Sequence, residues 1–331
     1  MNSAVQFPII TVITPTYNRA DYLVETIDSV LSQGYPNLEY IVLDDGSLDN
    51  TREVLAWYQG RLTWESHANM GETRTVNKGF EMAHGEIIGV VNSDDPLLPG
   101  ALAITAQYML EHPEIGVVYP DWDMIDGKGR LIENQVTFEY SYINMLRWHH
   151  CLPGPGAFFR KEVVIALGGR DPQFRYVADY DFWLRAGLIN QFARIPQTLA
   201  TFRMHSGSAS SNQTNEKMAE EHITLINKIY GFPNLPREVL EIKQEAYSSA
   251  YYIAGVVCQE GALGVRKKYF RKAFTLMPLK YFTEYRNRLL DVIIPVQFSP
   301  FHYLIKGFIL LFINPVGLFT KIRKKLRIAR N

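Results

Sequence analysis

Glu86-Ile87-Ile88-Gly89-Val90-Val91-Asn92-Ser93-Asp94-Asp95-Pro96 is the stretch whose reading decides the fold. Residues 87–91 are apolar and mostly β-branched, and they lie between the His84-Gly85 turn and a polar break, which predicts a buried strand of an α/β sheet. The strand ends in two adjacent carboxylates. Ligands of open α/β sheets bind beyond the carboxyl ends of the strands, so Asp94 and Asp95 stand where a site is expected. Neighbouring carboxylates repel, and a divalent cation bound through oxygen ligands and substrate phosphates is a reason to keep both ionised. The alternative is a solvated turn, with Pro99-Gly100 opening the next helix.

Upstream, residues 8–14 read as a strand running into a loop that Pro15 and Asn18 punctuate. Leu23, Ile27, Val30 and Leu31 are spaced by three and four, the pattern of an amphipathic helix, and Gly34 and Pro36 stop it. Residues 38–43 form a second strand that delivers another acidic pair, Asp44-Asp45, into the Gly46-Ser47 turn. A helix over 51–58, a short strand over 62–65 and a helix over 72–84 lead back to the deciding strand. This alternation predicts right-handed crossovers and a mainly parallel central sheet. Downstream come a strand over 115–119, a turn at 126–129 and a glycine-rich entry to Phe158-Phe159. A helix start then carries Asp179 and Asp181 in its first turn, and a strand over 199–205 ends in a polar loop.

With 331 residues, 47% hydrophobic and 21% charged, the chain has the composition of a globular protein with room for a large α/β domain and a smaller unit. The net charge is zero, but residues 1–215 hold 15 Lys+Arg against 25 Asp+Glu and residues 216–331 hold 19 against 9. Such a split suggests an acidic catalytic half and a basic half facing an anionic partner. Cys151 and Cys258 are far apart and supply neither a zinc site nor a disulfide framework. The first residues lack the basic start of a signal peptide, so cytoplasmic exposure is expected. From 216 to about 288 the pattern is helical. Residues 307–320 are uncharged but short of the roughly 20 residues that a membrane span needs. Phe319, Ile322 and Leu326 form an apolar stripe, and the last 11 residues carry six basic side chains and no acid. A basic amphipathic end of this kind lies on anionic lipid, here the inner face of the cytoplasmic membrane, unless it packs as a terminal hairpin. The expected units are therefore 1–215, 216–300 and 301–331.

Taken together, residues 7–215 resemble family 2 glycosyltransferases of the GT-A fold. The resemblance rests on ordered motifs at strand ends: Val12-Ile13-Thr14-Pro15-Thr16-Tyr17-Asn18-Arg19, Val42-Leu43-Asp44-Asp45-Gly46-Ser47, Asn77-Lys78-Gly79-Phe80, Asn92-Ser93-Asp94-Asp95, Asp179-Tyr180-Asp181-Phe182-Trp183-Leu184-Arg185 and Phe202-Arg203-Met204-His205. It implies a Rossmann-like, mainly parallel sheet with a helical extension, and a nucleotide-sugar donor whose nucleoside packs on Pro15, Thr16 and Tyr17. Asp45, or alternatively Asp44, accepts a hydrogen bond from the base. Asp94 goes to ribose or metal and Asp95 directly to Mn²⁺ or Mg²⁺, with His205 as a third metal or phosphate contact and Arg203 and Ser208 as weaker phosphate contacts. Asp179 matches the general base of inverting members, Asp181 being the alternative. Trp183 walls the sugar pocket or belongs to the core. The acceptor, a glycan or a lipid-linked sugar, is expected near residues 154–159, Trp148, His149 and His150.

Two positions depart from the family pattern. Ala178 stands where many relatives carry Glu before the base, and Arg74, where a small or acidic residue is usual, either contacts the donor's base or phosphate or simply caps a helix surface. Uridine is the base that the resemblance favours, with thymidine and guanosine diphosphate sugars open. No nucleic acid partner is expected. The competing classes are a nucleotidyltransferase, which needs a basic Gly-rich triphosphate loop where only Arg19 is available, and a non-catalytic nucleotide-sugar-binding or membrane scaffold protein.

Overall fold

The computed structural model describes residues 7–205, 207, 216–258 and 263–278. Strand β1 (Ile10–Thr16) is buried along its whole length. Its side chains alternate, Ile13 entering the core on one face of the sheet and Ile10 and Val12 the core on the other. Helix α1 (Ala20–Leu31) covers the second face with Leu23, Ile27 and Val30. The alternation continues through β2 (Leu38–Asp44), α2 (Thr51–Ala56), β3 (Thr63–Ser66), α3 (Glu72–Met82) and β4 (Ile87–Val90). β1 lies between β2 and β4, and these pairings, like β2 with β3, are parallel. That is the arrangement the alternating elements predict.

The second half brings α4 (Ala101–Glu111), β5 (Ile115–Asp126), β6 (Leu131–Gln135), α5 (Tyr142–Trp148), β7 (Phe158–Arg160), α6 (Lys161–Leu167), α7 (Ala178–Gly187) and β8 (Gln191–Met204). The sheet order is β3-β2-β1-β4-β7-β5-β6, with β8 pairing β5. Here the sheet is mixed. β7 runs antiparallel between β4 and β5, whereas β5 and β8 are parallel. Gly89 sits in the deciding strand because β7 needs it bare: a Cβ there would stand 2.2 Å from the Phe158 ring. β5 runs well past the expected end at Tyr119, since its polar second half pairs with β6 on one side and β8 on the other.

The helices that follow are α8 (Glu216–Ile229), α9 (Arg237–Glu241), α10 (Lys243–Val257) and α11 (Leu263–Leu276). Leu225, Ile226 and Ile229 of α8 and Ala246 and Ala250 of α10 share one core with Phe159 and Phe182, so this helical part is joined to the sheet by apolar packing. Gly255 lets α10 approach α11 closely, with Phe270 2.8 Å from where its Cβ would be. Among the described residues no helix is long and apolar enough to cross a membrane. The expected membrane-facing tail at 301–331, like Ser208, lies outside the described residues.

Candidate active site

β1, β2 and β4 run parallel, so their carboxyl ends open on the same edge of the sheet. Pro15 and Thr16 are the last buried residues of β1, and Tyr17 emerges beyond them, 43% exposed. Asn18 takes a left-handed turn (φ 53°) and ties this loop to the next, its N–H donating to Ser47 Oγ at 2.9 Å and its Oδ1 accepting from Leu48 N at 2.7 Å. Asp44 is fully buried and accepts from Ser47 N, Ser66 Oγ and Arg52 Nε. Burial alone would raise its pKa, but these hydrogen bonds hold it below the ordinary carboxylate value. Asp44 is therefore a fixture of the fold.

Asp45 is also turned inward. Its oxygens accept from Met70 N at 2.7 Å and Gly71 N at 3.0 Å and thereby shape residues 67–71, the approach to α3. Gly46, at φ 78°, permits the close passage, since a Cβ there would lie 2.8 Å from Asn69 N. The expectation of a direct Asp45–base contact thus meets a carboxylate already holding the loop that walls this region. Arg74 is exposed on the first turn of α3, its Nη1 donating to Met70 O at 3.4 Å.

The paired carboxylates after β4 divide their work. Asp95 is 5% exposed, with Oδ1 accepting from Arg203 N at 2.8 Å and Oδ2 from Asn92 Nδ2 at 3.0 Å. Burial, and then the charge of Asp94, push its pKa up to about 7. Asp94 is half-buried, and its Oδ2 lies 2.9 Å from His205 Nε2 and 3.5 Å from Arg19 Nε. Asp94, not Asp95, is the carboxylate with an oxygen to spare. His205 receives Gly207 N–H on Nδ1 at 3.1 Å, so Nε2 carries the proton and donates to Asp94. In this arrangement His205 orients the carboxylate, and it becomes a ligand only by giving up one of those bonds. Arg203 was expected at a phosphate. Instead it is 2% exposed and spends its guanidinium on Asp94 O, Asp126 O and Glu25.

Among the described residues no group of three His, Cys, Asp or Glu side chains could hold a cation unaided. Asp94 with His205 beside it nonetheless fits a Mn²⁺ or Mg²⁺ that draws most of its shell from water and substrate phosphates, the habit of such ions in phosphate chemistry.

Asp179 lies in the first turn of α7, is exposed, and accepts a 2.7 Å hydrogen bond from Tyr180 N. It lines a cleft with Asn92, Gly154, Phe159, Arg170 and Trp183. Glu72 pairs with Arg170 of this cleft at 3.3 Å. Its side chain keeps 53% of its exposure but is crowded by protein, and that desolvation raises its pKa, opposed by Arg170 and reinforced by the charges of Asp179 and Asp94. Asp181, the alternative base, is wholly buried between Arg185 Nε at 2.8 Å and Lys228 Nζ at 2.6 Å, and cannot meet a substrate. Ala178 is buried, so no acidic group stands before Asp179. Trp183 both walls the cleft and packs edge-on to Phe159 and Phe182. The Cys151 thiol near Asp179 has its pKa pushed well up by burial, which leaves it no nucleophile.

Residues 154–159 supply Gly154, Pro155, Ala157 and Phe159 to the cleft, and Trp148 is exposed against Phe138. His149 is not at the acceptor side. It is 5% exposed, its Nε2 2.9 Å from Nδ1 of the buried His222, and the pair fastens the end of α5 to α8. Desolvation drives both pKa values down, His222 to about 4. The unfolded chain therefore binds more protons than the native one between pH 6.5 and 4, and stability is lost as pH falls through that window. Acidification from pH 7.5 to 5.0 is expected to cost about 2 kcal/mol through His222, read as a shift in urea midpoint that His222→Phe reduces by that share, the remainder being that of His149.

Residues 11–168 match the family model described as Glycosyl transferase family 2. An uncharacterized glycosyltransferase of Nostoc sp. is 28% identical over 237 residues, covering 66% of this chain and 73% of that protein. Staphylococcus aureus TarS 1–349, solved in complex with UDP-GlcNAc, has a TM-score of 0.64 at 19% identity and covers 81% of this chain and 80% of its own. The mannosyltransferase PcManGT from Pyrobaculum calidifontis, in complex with GDP-Man and Mn²⁺, has a TM-score of 0.60 at 18% identity over 98% of this chain and 87% of its own. The structural likenesses carry the fold, GT-A, and the family model and curated relative carry the class of chemistry, glycosyl transfer, with residues 11–168 as the region that matches glycosyl transferase family 2.

Proposed function

We propose that this enzyme is a metal-dependent inverting glycosyltransferase that moves a sugar from a nucleoside diphosphate donor, a UDP-sugar by preference, to a glycan or lipid-linked acceptor in polysaccharide synthesis. The reading rests chiefly on one observation: Asp179, exposed and lightly bonded, shares a cleft with Asn92 of the loop that also carries Asp94. Asp179 takes the proton from the acceptor hydroxyl as that oxygen attacks the anomeric carbon from the face opposite the departing diphosphate. One displacement completes the transfer, and no protein nucleophile is needed. A divalent cation, when bound, would supply positive charge for the diphosphate leaving group, and Asp94 would hold it, with His205 able to join only by releasing Asp94 or Gly207. Pro15, Thr16 and Tyr17 floor the nucleoside pocket, and Asp45 acts by fixing residues 67–71 as its wall. Arg74 reaches the donor's base or phosphates from the rim. The complexes of the two structural neighbours, one with a uridine and one with a guanosine donor, agree with a nucleotide sugar and leave the base to this chain's own pocket.

The test is a binding and hydrolysis screen against UDP-, GDP- and dTDP-sugars with Mn²⁺, with Mg²⁺ and with EDTA. One donor is expected to bind with metal, with at least about tenfold weaker binding in EDTA. Absence of binding to every donor in either metal would overturn the assignment.

A further inference from the structure

Arg170 is the charged residue of the cleft for which the protein provides least. Its side chain is 10% exposed, and its Nε is buried with no hydrogen-bond partner among the described residues. The guanidinium touches one carboxylate, Glu72 Oε1, at 3.3 Å from Nη1, and Glu72 itself is half open to solvent. A guanidinium has five N–H donors, and burying it with one long ion pair is costly unless a further partner arrives. The placement is not slack. Asn77 accepts from Arg170 N at 2.8 Å and donates to Arg170 O at 2.7 Å, and the same Asn77 side chain fills the space where a Cβ at Gly169 would go. The protein fixes the backbone of this arginine from both sides and leaves its head in the cleft beside Asp179.

We propose, resting on the transferase reading above, that Arg170 is a specificity-determining residue that reads an oxyanion on the sugar bound in this cleft, a carboxylate or a phosphate. The planar fork of Arg pairs two oxygens of either group at once, which a neutral hydroxyl does not offer. Glu72 is then the resident competitor that holds the guanidinium until the substrate anion replaces it. The proposal names the charge of the substrate, which the family fold does not fix, and it needs no movement of Asp179.

The experiment measures binding of methyl glucoside, methyl glucuronide and methyl glucoside 6-phosphate to the full chain by titration calorimetry, without donor, in wild type, Arg170→Gln and Glu72→Gln. One anionic glycoside is expected to bind about 10- to 100-fold tighter than the neutral one, the worth of a charge-assisted pair. Arg170→Gln abolishes the preference, Glu72→Gln strengthens it severalfold, and the identity of the tighter ligand separates uronate from phosphate. Equal binding of all three, no binding of any, or a preference that survives in folded Arg170→Gln overturns the proposal. Glu72→Gln guards against misfolding of the arginine variant, because it predicts a gain. Failure of the transferase reading shows separately, as absent donor binding in the metal screen with the glycoside preference intact.

Discussion

Asp179→Asn is expected to lower sugar transfer by about 10²- to 10⁴-fold while donor affinity stays near that of the wild type. The size follows from the role. A carboxylate that accepts the acceptor proton acts in the transition state, and an amide of the same shape cannot accept it. The Tyr180 N–H bond to Asp179 Oδ1 can be kept by the asparagine oxygen, so the start of α7 and the cleft wall remain in place. The measurement is initial rate with the donor found in the screen, alongside donor binding by titration. A loss of binding equal to the loss of rate would assign Asp179 to substrate positioning. Unchanged turnover would remove it from the chemistry, and Asp181 would not take its place, being sealed between Arg185 and Lys228.

The sheet was legible where side-chain period and turn chemistry agree. Residues 87–91 and 40–43 are apolar runs with an acidic pair shortly beyond, and both lie in parallel strands opening on the site edge. β7 was not legible, because three residues after a glycine-rich loop carry no period, and its antiparallel placement is decided by the fit of Phe158 over Gly89. Site residues followed the same division. Local motifs pointed to Asp94, Asp179 and the loop of Tyr17, none of which the structure seals in the core. They did not separate Asp94 from Asp95, since the partner that turns Asp95 inward, Arg203 N, is 108 residues away. His149 looked like an acceptor-side residue because its partner His222 lies 73 residues further on. Arg170 and Lys228 were missed for that reason too. Their significance is what they face, and a lone basic residue in a sequence has no signature for that.

Asp181→Ala is expected to cost about 3 kcal/mol of stability, the scale seen when one member of a buried ion pair is removed. Asp181 is wholly buried, and its two oxygens meet Arg185 Nε at 2.8 Å and Lys228 Nζ at 2.6 Å. Alanine leaves both cations facing an apolar pocket, although each has a fallback. Arg185 also donates to Leu167 O and Gly169 O, and Lys228 also pairs with Asp171, which keeps the expected loss at the lower end of the range. Arg237–Glu241, whose side chains are 91% and 61% exposed, is the control, and Glu241→Ala is expected to cost about 0.5 kcal/mol or less. Urea unfolding of the three proteins decides the matter. The functional consequence is specific, because Asp181 joins α7, which carries Asp179, to α8, and Arg185 reaches back to the carbonyl of Gly169, next to Arg170. At a temperature where Asp181→Ala is still folded, turnover should therefore fall by more than nucleotide-sugar affinity, since the residues loosened carry Asp179 and Arg170, whereas the loops after β1 and β2 are fastened to each other. A variant that lost stability but kept full turnover would show that α7 holds Asp179 in place without α8.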